Sequence, residues 1–342
     1  MERLRNLNAG LGQYCLQLGR ALAEQPASQA QHFECYAPAH LAGILGPSFG
    51  YQSTRKWHKL TGVPTNAGLW HCTHQDAAYF PAGKKTALAL TIHDLNFLER
   101  TDYPDWRKNL KVNQLQKKIN RCQGLVYISE FVKNAVHANL KVPTGIREQV
   151  IYNGVRVEET KVSSNETGEK PYLFSIGLHP KKNYVVALPI LVSNPGYQWI
   201  IAGADDKGYQ AELEKAAAKQ GVADRLKFTG TVTEAEKWRL YQHCSALLFP
   251  SLSEGFGLPV LEAMSFGKPV FLSDRTSLPE IGGEAAYYFK NFAEEHIQQV
   301  FFEGMEDYKN DPEKPQQLKN RAATFTWDNA AKDYLKFYQS IL

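Results

Sequence analysis

Apolar residues along this chain fall into two patterns that alternate. Short, near-continuous runs read as buried strands, and longer stretches with apolar residues at helical spacing read as amphipathic helices. In the first half, the runs predict strands at Phe33–Tyr36, Gly68–Thr73, Ala87–His93, Leu125–Ser129 and Val150–Asn153. Helices are expected at Gly12–Glu24, Trp106–Arg121 and Glu130–Ala138. The polar stretch 158–170 offers almost nothing to a core and reads as a linker. A second series follows, with strands at Tyr172–Ile176, Trp199–Ala202, Leu226–Phe228, Ala246–Phe249 and Val270–Leu272, and helices at Asn183–Leu191, Gln210–Lys219 and Glu234–His243. The segment Trp327–Leu342 carries Trp327, Tyr334, Phe337 and Tyr338 at helical spacing.

Strands alternating with helices predict parallel sheets built from βαβ units, an α/β fold. The polar interruption divides them into two doubly wound, Rossmann-like domains, 1–157 and 171–326, expected to face each other across a cleft. The last helix, 327–342, is expected to pack back on the first domain. A chain of 342 residues is long enough for two such domains. At 43% hydrophobic and 22% charged, the composition is that of a globular protein. No run approaches the roughly 20 apolar residues needed to span a bilayer, and the N-terminus is not a secretory signal. The five cysteines (Cys15, Cys35, Cys72, Cys122 and Cys244) are scattered and form no CxxC pair. That argues against a disulfide framework or a zinc site and for a reducing cytoplasm, where the sequon Asn165-Glu166-Thr167 is idle. The net charge of +4 suits anionic ligands or a membrane surface and gives no sign of nucleic acid.

The richest segment is 251–270, SLSEGFGLPVLEAMSFGKPV. A buried run leads into a loop where Gly255 and Gly257 allow a tight turn and close approach to a ligand. Pro259 suits the start of a helix that Gly267 and Pro269 stop. A strand, a loop of free N–H groups and a helix N-terminus form a site for a phosphate or diphosphate. Glu254 in the loop and Glu262 in the first helical turn can accept hydrogen bonds from hydroxyls, so the segment fits a ligand with both phosphate and polyol. Each glutamate alone fits a structural role equally well; the Gly-Phe-Gly-Leu-Pro turn between them is what makes the pair informative. A second patch, Ser175-Ile176-Gly177-Leu178-His179-Pro180-Lys181-Lys182-Asn183, also follows a strand and opens a helix. Adjacent cations there would stabilise charge developing on a departing diphosphate. Thr91-Ile92-His93-Asp94 ends an apolar strand, at the edge where side chains of parallel sheets reach ligands.

These motifs resemble those of the retaining, GT-B fold glycosyltransferases of glycosyltransferase family 4 (glycosyltransferase group 1), over nearly the whole chain and most strongly from Leu173 to Phe289. The resemblance implies that Glu254 contacts the transferred sugar, Glu262 binds the ribose hydroxyls, and the backbone N–H groups of Phe256, Gly257 and Leu258 face the sugar and distal phosphate. It gives Lys182 the donor diphosphate, with Lys181 in place of an arginine common in the family, and sets His93 near the donor sugar and catalysis. Gly10 and Gly12, within Asn8-Ala9-Gly10-Leu11-Gly12-Gln13-Tyr14, are similar to the family's loop beside the donor phosphates and acceptor. Thr229-Gly230-Thr231-Val232 resembles the loop against the nucleobase, Asn153-Gly154-Val155 the hinge, and Ser273-Asp274 with Leu278-Pro279-Glu280 the segment after the glutamates. The family carries a full strand before the first glycine loop. Here only Met1 to Leu7 precede it, so that strand is expected to be truncated or the start site misassigned.

The Leu-His-Pro-Lys-Lys-Asn and Ser-Leu-Pro-Glu stretches look most like the mannosyltransferase branch. They imply transfer of mannose from GDP-mannose to a glycan or lipid-linked saccharide, with no cofactor and no metal. A UDP-sugar donor is the alternative. The helix 106–121 bears Arg107, Lys108, Lys111, Lys117, Lys118 and Arg121, with Leu110, Leu115 and Ile119 on an apolar side. It reads either as a solvated face or as a peripheral contact with an anionic membrane or lipid-diphosphate acceptor at the inner membrane face. Two other classes compete. A nicotinamide-dependent oxidoreductase would need a third glycine where Cys15 stands. A silent nucleotide-sugar-binding protein would lack a reacting-centre residue, whereas Glu254, Glu262, Lys182 and His93 are all present.

Overall fold

The computed structural model describes residues 1–7, 10–26, 32–100, 103–157, 170–205 and 208–342. Asn8 and Ala9 of the first glycine loop, and residues 158–169 of the expected linker with its sequon, lie outside the described residues. The chain divides into two compact units, one of Met1–Gly154 with Phe325–Leu342 and one of Val155–Thr324.

The first unit runs α1 (Gly10–Glu24), β1 (Phe33–Ala37), β2 (Phe49–Ser53), α2 (His58–Thr61), β3 (Leu69–Cys72), β4 (Ala87–Ile92), α3 (Asp105–Ile119), β5 (Gly124–Tyr127), α4 (Glu130–Asn139) and β6 (Arg147–Val150). Every strand pairing is parallel. The strands form a four-stranded sheet in the order β3-β4-β5-β6 and a separate pair β1-β2. Residues Glu2–Arg5, where the truncated strand was sought, form a 3-10 turn, and the Met1 amino group donates to the Tyr36 carbonyl at 2.9 Å.

The second unit runs β7 (Tyr172–Ile176), α5 (Leu188–Ser193), β8 (Gln198–Ala202), α6 (Tyr209–Lys219), β9 (Leu226–Gly230), α7 (Glu234–His243), β10 (Ala246–Phe249), α8 (Leu258–Ser265), β11 (Val270–Ser273), α9 (Leu278–Gly282), β12 (Tyr287–Phe289), α10 (Glu294–Asn310) and α11 (Lys314–Ala323). Its strands form one parallel sheet in the order β12-β11-β10-β7-β8-β9. Counted within the unit this is 3-2-1-4-5-6 read from β9, the doubly wound order of dinucleotide-binding folds. Covered on both faces, β10 is apolar along its length and wholly buried, and β7 is apolar but for Ser175. Trp199 is fully buried, and its indole N–H donates to the Ser175 hydroxyl at 3.0 Å, so the ring fills the core without stranding its polar atom. The chain ends in α12 (Trp327–Ile341), whose Ala331, Tyr334 and Phe337 pack with Tyr14, Leu18 and Leu22 of α1 in the first unit's core.

Three expectations shift. The strand sought at Val150–Asn153 lies at Arg147–Val150, an edge strand whose polar Arg147, Glu148 and Gln149 leave no apolar signal. The helix sought at Asn183–Leu191 is broken into 3-10 turns, with Asn183 at φ 56°, and becomes α-helical only from Leu188. Glu262 sits in the second turn of α8, because that helix starts at Leu258, just after a Gly257 at φ 111°.

Candidate functional site

In the second unit the winding reverses between β7 and β10, the place where ligands of such sheets bind at the carboxyl ends of the strands. The loops that leave these two strands carry Lys181, Lys182 and Glu254, and they are tied together. The backbone N–H of Leu252 donates to the Lys181 carbonyl at 2.7 Å, and the Ser251 hydroxyl donates to the same oxygen at 3.2 Å. Lys182 Nζ donates to Glu254 Oε1 at 2.8 Å, Ser251 donates to that oxygen at 2.7 Å, and Lys181 Nζ reaches Oε2 at 3.5 Å. The Lys182 ammonium also lies 4.1 Å from the centre of the Phe249 ring. Burial alone would raise the Glu254 carboxyl; the two ammoniums outweigh it and hold the group at about 2. Burial pulls Lys182 down from its ordinary value while Glu254 pulls the other way. The pair is therefore a desolvated ion pair, kept charged by mutual contact.

The loop backbone is fixed from behind. The Glu254 N–H donates to the Thr276 hydroxyl at 3.1 Å, and the Ser277 hydroxyl donates to the carbonyls of Glu254 and Phe256 at 3.0 and 2.8 Å. Phe256 is buried and Leu258 half-buried, so the turn is anchored by the phenyl ring while its amides open α8. A Cβ on Gly257 would stand 2.9 Å from Leu278 at a φ that side chains rarely adopt, so any other residue there would displace the amides.

Glu262 meets residues that the sequence reading did not single out. Its Oε1 accepts from Lys237 Nζ at 3.0 Å and its Oε2 from the Tyr241 hydroxyl at 2.7 Å. Lys237 also pairs with Glu234 at 3.0 Å and lies 4.1 Å over the Trp238 ring. Burial works against the Lys237 charge, but Glu262 and Glu234 more than offset it and raise its pKa. Burial, then Glu262, raises the Tyr241 hydroxyl well above its ordinary range, so it stays a donor. The available signal was the i, i+4 spacing of Lys237 and Tyr241 on a helix opened by Thr233 and Glu236.

His93 belongs to the first unit, away from this cluster in the chain and at the end of β4. Its Nε2 lies 3.0 Å from the Thr73 carbonyl, which can only accept, so that nitrogen carries the proton and Nδ1 is left as an acceptor. Its ring stacks on His74 at 5.5 Å and meets the edge of Tyr14 at 4.5 Å. Burial pushes His93 down to about 4, His71 to about 3 and His74 to about 2. All three are neutral at neutral pH. Asp94 accepts from the Asn96 N–H at 3.0 Å and turns the loop.

Of the glycines, Gly12 is required by contact: a Cβ there would stand 1.9 Å from the Asn6 carbonyl oxygen. Gly10 and Gly230 face open space. Gly230 ends β9, and Gly10 begins α1. On α3, Leu115 and Ile119 are buried but Leu110 is 48% exposed, so the apolar side is narrower than its sequence suggests. Lys118 turns inward to donate to the Gln75 carbonyl at 2.7 Å, and Arg121, just past the helix, lies 5.2 Å over Phe80. No helix among the described residues is long and apolar enough to cross a membrane.

Residues 156–325 match the family model of glycosyl transferases group 1. The serotype-specific mannosyltransferase WbdA of Escherichia coli is 27% identical over 214 residues, 60% of this chain but only 26% of that protein. The GDP-mannose:cellobiosyl-diphosphopolyprenol alpha-mannosyltransferase of Xanthomonas campestris is 30% identical over 162 residues, 46% of this chain and 43% of its own length. The structure of Anabaena Alr3699/HepE in complex with UDP-glucose shares the fold over 97% of this chain and 96% of that one, with a TM-score of 0.74 at 17% identity. The fold is therefore GT-B, and the second unit carries a glycosyl transferases group 1 domain.

Proposed function

We propose that this chain, with its glycosyl transferases group 1 domain at 156–325, is a retaining hexosyltransferase that moves mannose from GDP-mannose to a glycan or lipid-linked saccharide. The observation that carries the reading is the cluster at the β7/β10 switch point, where an ionised glutamate and two ammoniums sit beside the amides that open α8. The donor's diphosphate takes the Lys181 and Lys182 ammoniums, which leave Glu254 free to accept from a sugar hydroxyl. The α8 N-terminus adds the positive end of its dipole to the same phosphates. Glu262, already seated against two donors, accepts from the ribose hydroxyls.

In the reaction the anomeric C–O bond to the diphosphate breaks, and an acceptor hydroxyl oxygen bonds to the same face of that carbon. The acceptor proton passes to the leaving phosphate oxygen. Charge builds on that phosphate, where Lys182 stabilises it more strongly than in the ground state. Neutral His93, with one ring nitrogen left to accept, is assigned to a hydroxyl of the transferred sugar, and the first unit to the acceptor. The two ammoniums supply the charge a metal would bring, so EDTA leaves turnover unchanged. The names of the mannosyltransferase relatives favour mannose and one names GDP-mannose; a UDP-sugar is the second reading, favoured by the UDP-glucose bound to HepE.

A panel of nucleotide sugars, scored by thermal shift and by donor hydrolysis, tests this directly. GDP-mannose should stabilise the protein and be hydrolysed slowly. Stabilisation by UDP-glucose in its place would transfer the assignment to the UDP-sugar branch, and no response to any nucleotide diphosphate would overturn the transferase reading. Salt-sensitive flotation with anionic liposomes tests the outward residues of α3 as a membrane contact; flotation that ignores salt or does not occur removes that part.

A further inference from the structure

We propose that Thr276 is a positioning residue for Glu254, held in a strained backbone conformation so that its hydroxyl can accept from the Glu254 N–H. The task of Glu254, accepting from a sugar hydroxyl, is taken from the function proposed above. Among the described residues two non-glycine residues have a positive φ, Asn183 at 56° and Thr276 at 55°. Both flank one ion pair, Lys182 with Glu254 at 2.8 Å. Asn183 follows Lys182 in the chain, and the Thr276 hydroxyl lies 3.1 Å from the Glu254 nitrogen. Asparagine tolerates the left-handed region, because its short amide can bond the backbone nearby. Threonine does not. Its β-branch crowds the backbone there, and such a residue persists only where its surroundings over-determine it.

Thr276 sits in the short turn between β11, which ends at Ser273, and α9, which begins at Leu278. On an extended segment consecutive side chains point to opposite faces. Here the left-handed turn lets two consecutive hydroxyls reach the loop that carries Glu254. Thr276 accepts from the Glu254 N–H, and Ser277 donates to the Glu254 carbonyl at 3.0 Å and to the Phe256 carbonyl at 2.8 Å. From the end of β11, Ser273 donates to the Ser251 carbonyl, and Ser251 in turn donates to Glu254 Oε1 at 2.7 Å. The N–H and the C=O of Glu254 are thus both taken by one turn. Its carboxylate is held against the Lys182 ammonium before a sugar hydroxyl meets it. A glycine would adopt the same φ without strain, but it has no oxygen to offer the Glu254 N–H. That oxygen is what the strained threonine adds to the site.

Four forms of the protein test this: the chain as it stands, Thr276→Ser, Thr276→Ala and Thr276→Gly. Stability should follow the backbone. Thr276→Gly should melt about 2–4 °C above Thr276→Ala, the reverse of the usual order, because glycine alone is at ease at this φ. Turnover of GDP-mannose should follow the hydroxyl instead. Thr276→Ser should stay within about twofold of the unchanged chain, while the alanine and glycine variants should both lose about 10- to 100-fold in kcat with the donor KM nearly unchanged. The third readout needs no substrate: the Glu254 carboxyl, followed by carbon NMR against pH. It titrates at about 2 in the chain as it stands and should do so in Thr276→Ser, but higher in the alanine and glycine variants, where it drifts from the ammonium. Turnover that rises and falls with melting temperature, glycine recovering over alanine, would give Thr276 to loop stability alone and overturn the proposal. An alanine variant that melts at or above the glycine variant would remove the strain and overturn it as well. No turnover of any nucleotide sugar by the unchanged chain would overturn the transferase reading, and the titration then decides the role of Thr276 by itself. A Glu254 that titrates alike in all four forms overturns that role.

Discussion

The two units answer the same topological problem differently. In the second, six parallel strands close into one sheet, and the reversal at β7/β10 is filled by charge: Glu254 between two lysines, and Glu262 against Lys237. In the first, the sheet is divided into four strands and two, and the groups buried near the strand ends are neutral imidazoles, His71, His74 and His93. A complete sheet can hold paired charges in a dry site because its loops are fixed by their neighbours. The first unit places rings that burial strips of their protons. One unit gathers paired charges near its strand ends, the other rings that stay neutral.

The largest effect should follow from removing a charge at the switch point. Lys182→Ala deletes the ammonium 2.8 Å from Glu254 and the group proposed to stabilise the leaving phosphate. Loss of one such preorganised contact lowers turnover by about 100- to 1,000-fold. It also leaves the buried Glu254 carboxylate with the Ser251 hydroxyl and the more distant Lys181 ammonium, and breaking a buried ion pair of this kind costs about 3 kcal/mol. The double variant Lys182→Met with Glu254→Gln separates the two: it should recover stability but not turnover. Recovery of turnover as well would assign the pair to structure alone.

Acid sharpens the contrast between the units. The three histidines have folded pKa values below the ordinary 6.5, so the unfolded chain takes up protons that the folded unit refuses. Stability is then fully present above about 6.5 and is lost as pH falls through the folded values of about 4, 3 and 2, each histidine contributing at most about 1.4 kcal/mol per pH unit. Glu254, folded at about 2 against an ordinary 4.5, contributes stability above 4.5 that is lost only as pH falls toward 2. Exchange protection in the first unit should therefore decline between pH 6.5 and 5, while the second unit holds. Simultaneous loss in both would show that the imidazoles do not govern the first unit's acid response.

The sequence made this contrast partly legible. Buried parallel strands such as Ala246–Phe249 have to be apolar along their whole length, so they stand out. Strand β2, with Gly50, Gln52 and Ser53 in a two-stranded sheet, and three-residue β12 do not. Helices α10 and α11 went unpredicted although both are well formed, because their long polar faces dilute the apolar rows. In the site, the loop residues Glu254 and Lys182 were visible because their motifs couple a glycine turn to a charge. Lys237 and Tyr241 were not: their i, i+4 spacing puts them on one face of α7, but only the packing of α7 against α8 brings that face to Glu262.

That unforeseen contact gives the next prediction. Glu262→Gln keeps an acceptor for Tyr241 but removes the charge facing Lys237 at 3.0 Å. If Glu262 holds the ribose, the substitution should raise the donor KM by about tenfold, the scale of one charge-assisted hydrogen bond, and leave kcat nearly unchanged. Equal loss in kcat and kcat/KM would place Glu262 at the reacting centre. The comparison with Lys182, where kcat falls, then tells ground-state binding from stabilisation of the departing phosphate within one unit.

The smallest effect lies one step behind that contact. Helix α7 begins with a capping box: the Glu236 N–H donates to the Thr233 hydroxyl at 3.2 Å, and the Thr233 N–H donates to the Glu236 carboxylate at 2.8 Å. This fixes the first turn, and with it the direction in which Lys237 and Tyr241 reach Glu262. Thr233→Ala should cost about 1 kcal/mol of stability and raise the donor KM only slightly, whereas Thr233→Ser should restore both. Thr233 touches no proposed ligand group, so a large fall in kcat in the alanine variant would mean that α7 does more than aim its lysine. A change in melting temperature with the donor KM unmoved would mean that packing against α8 alone sets the helix, and that the cap serves stability only.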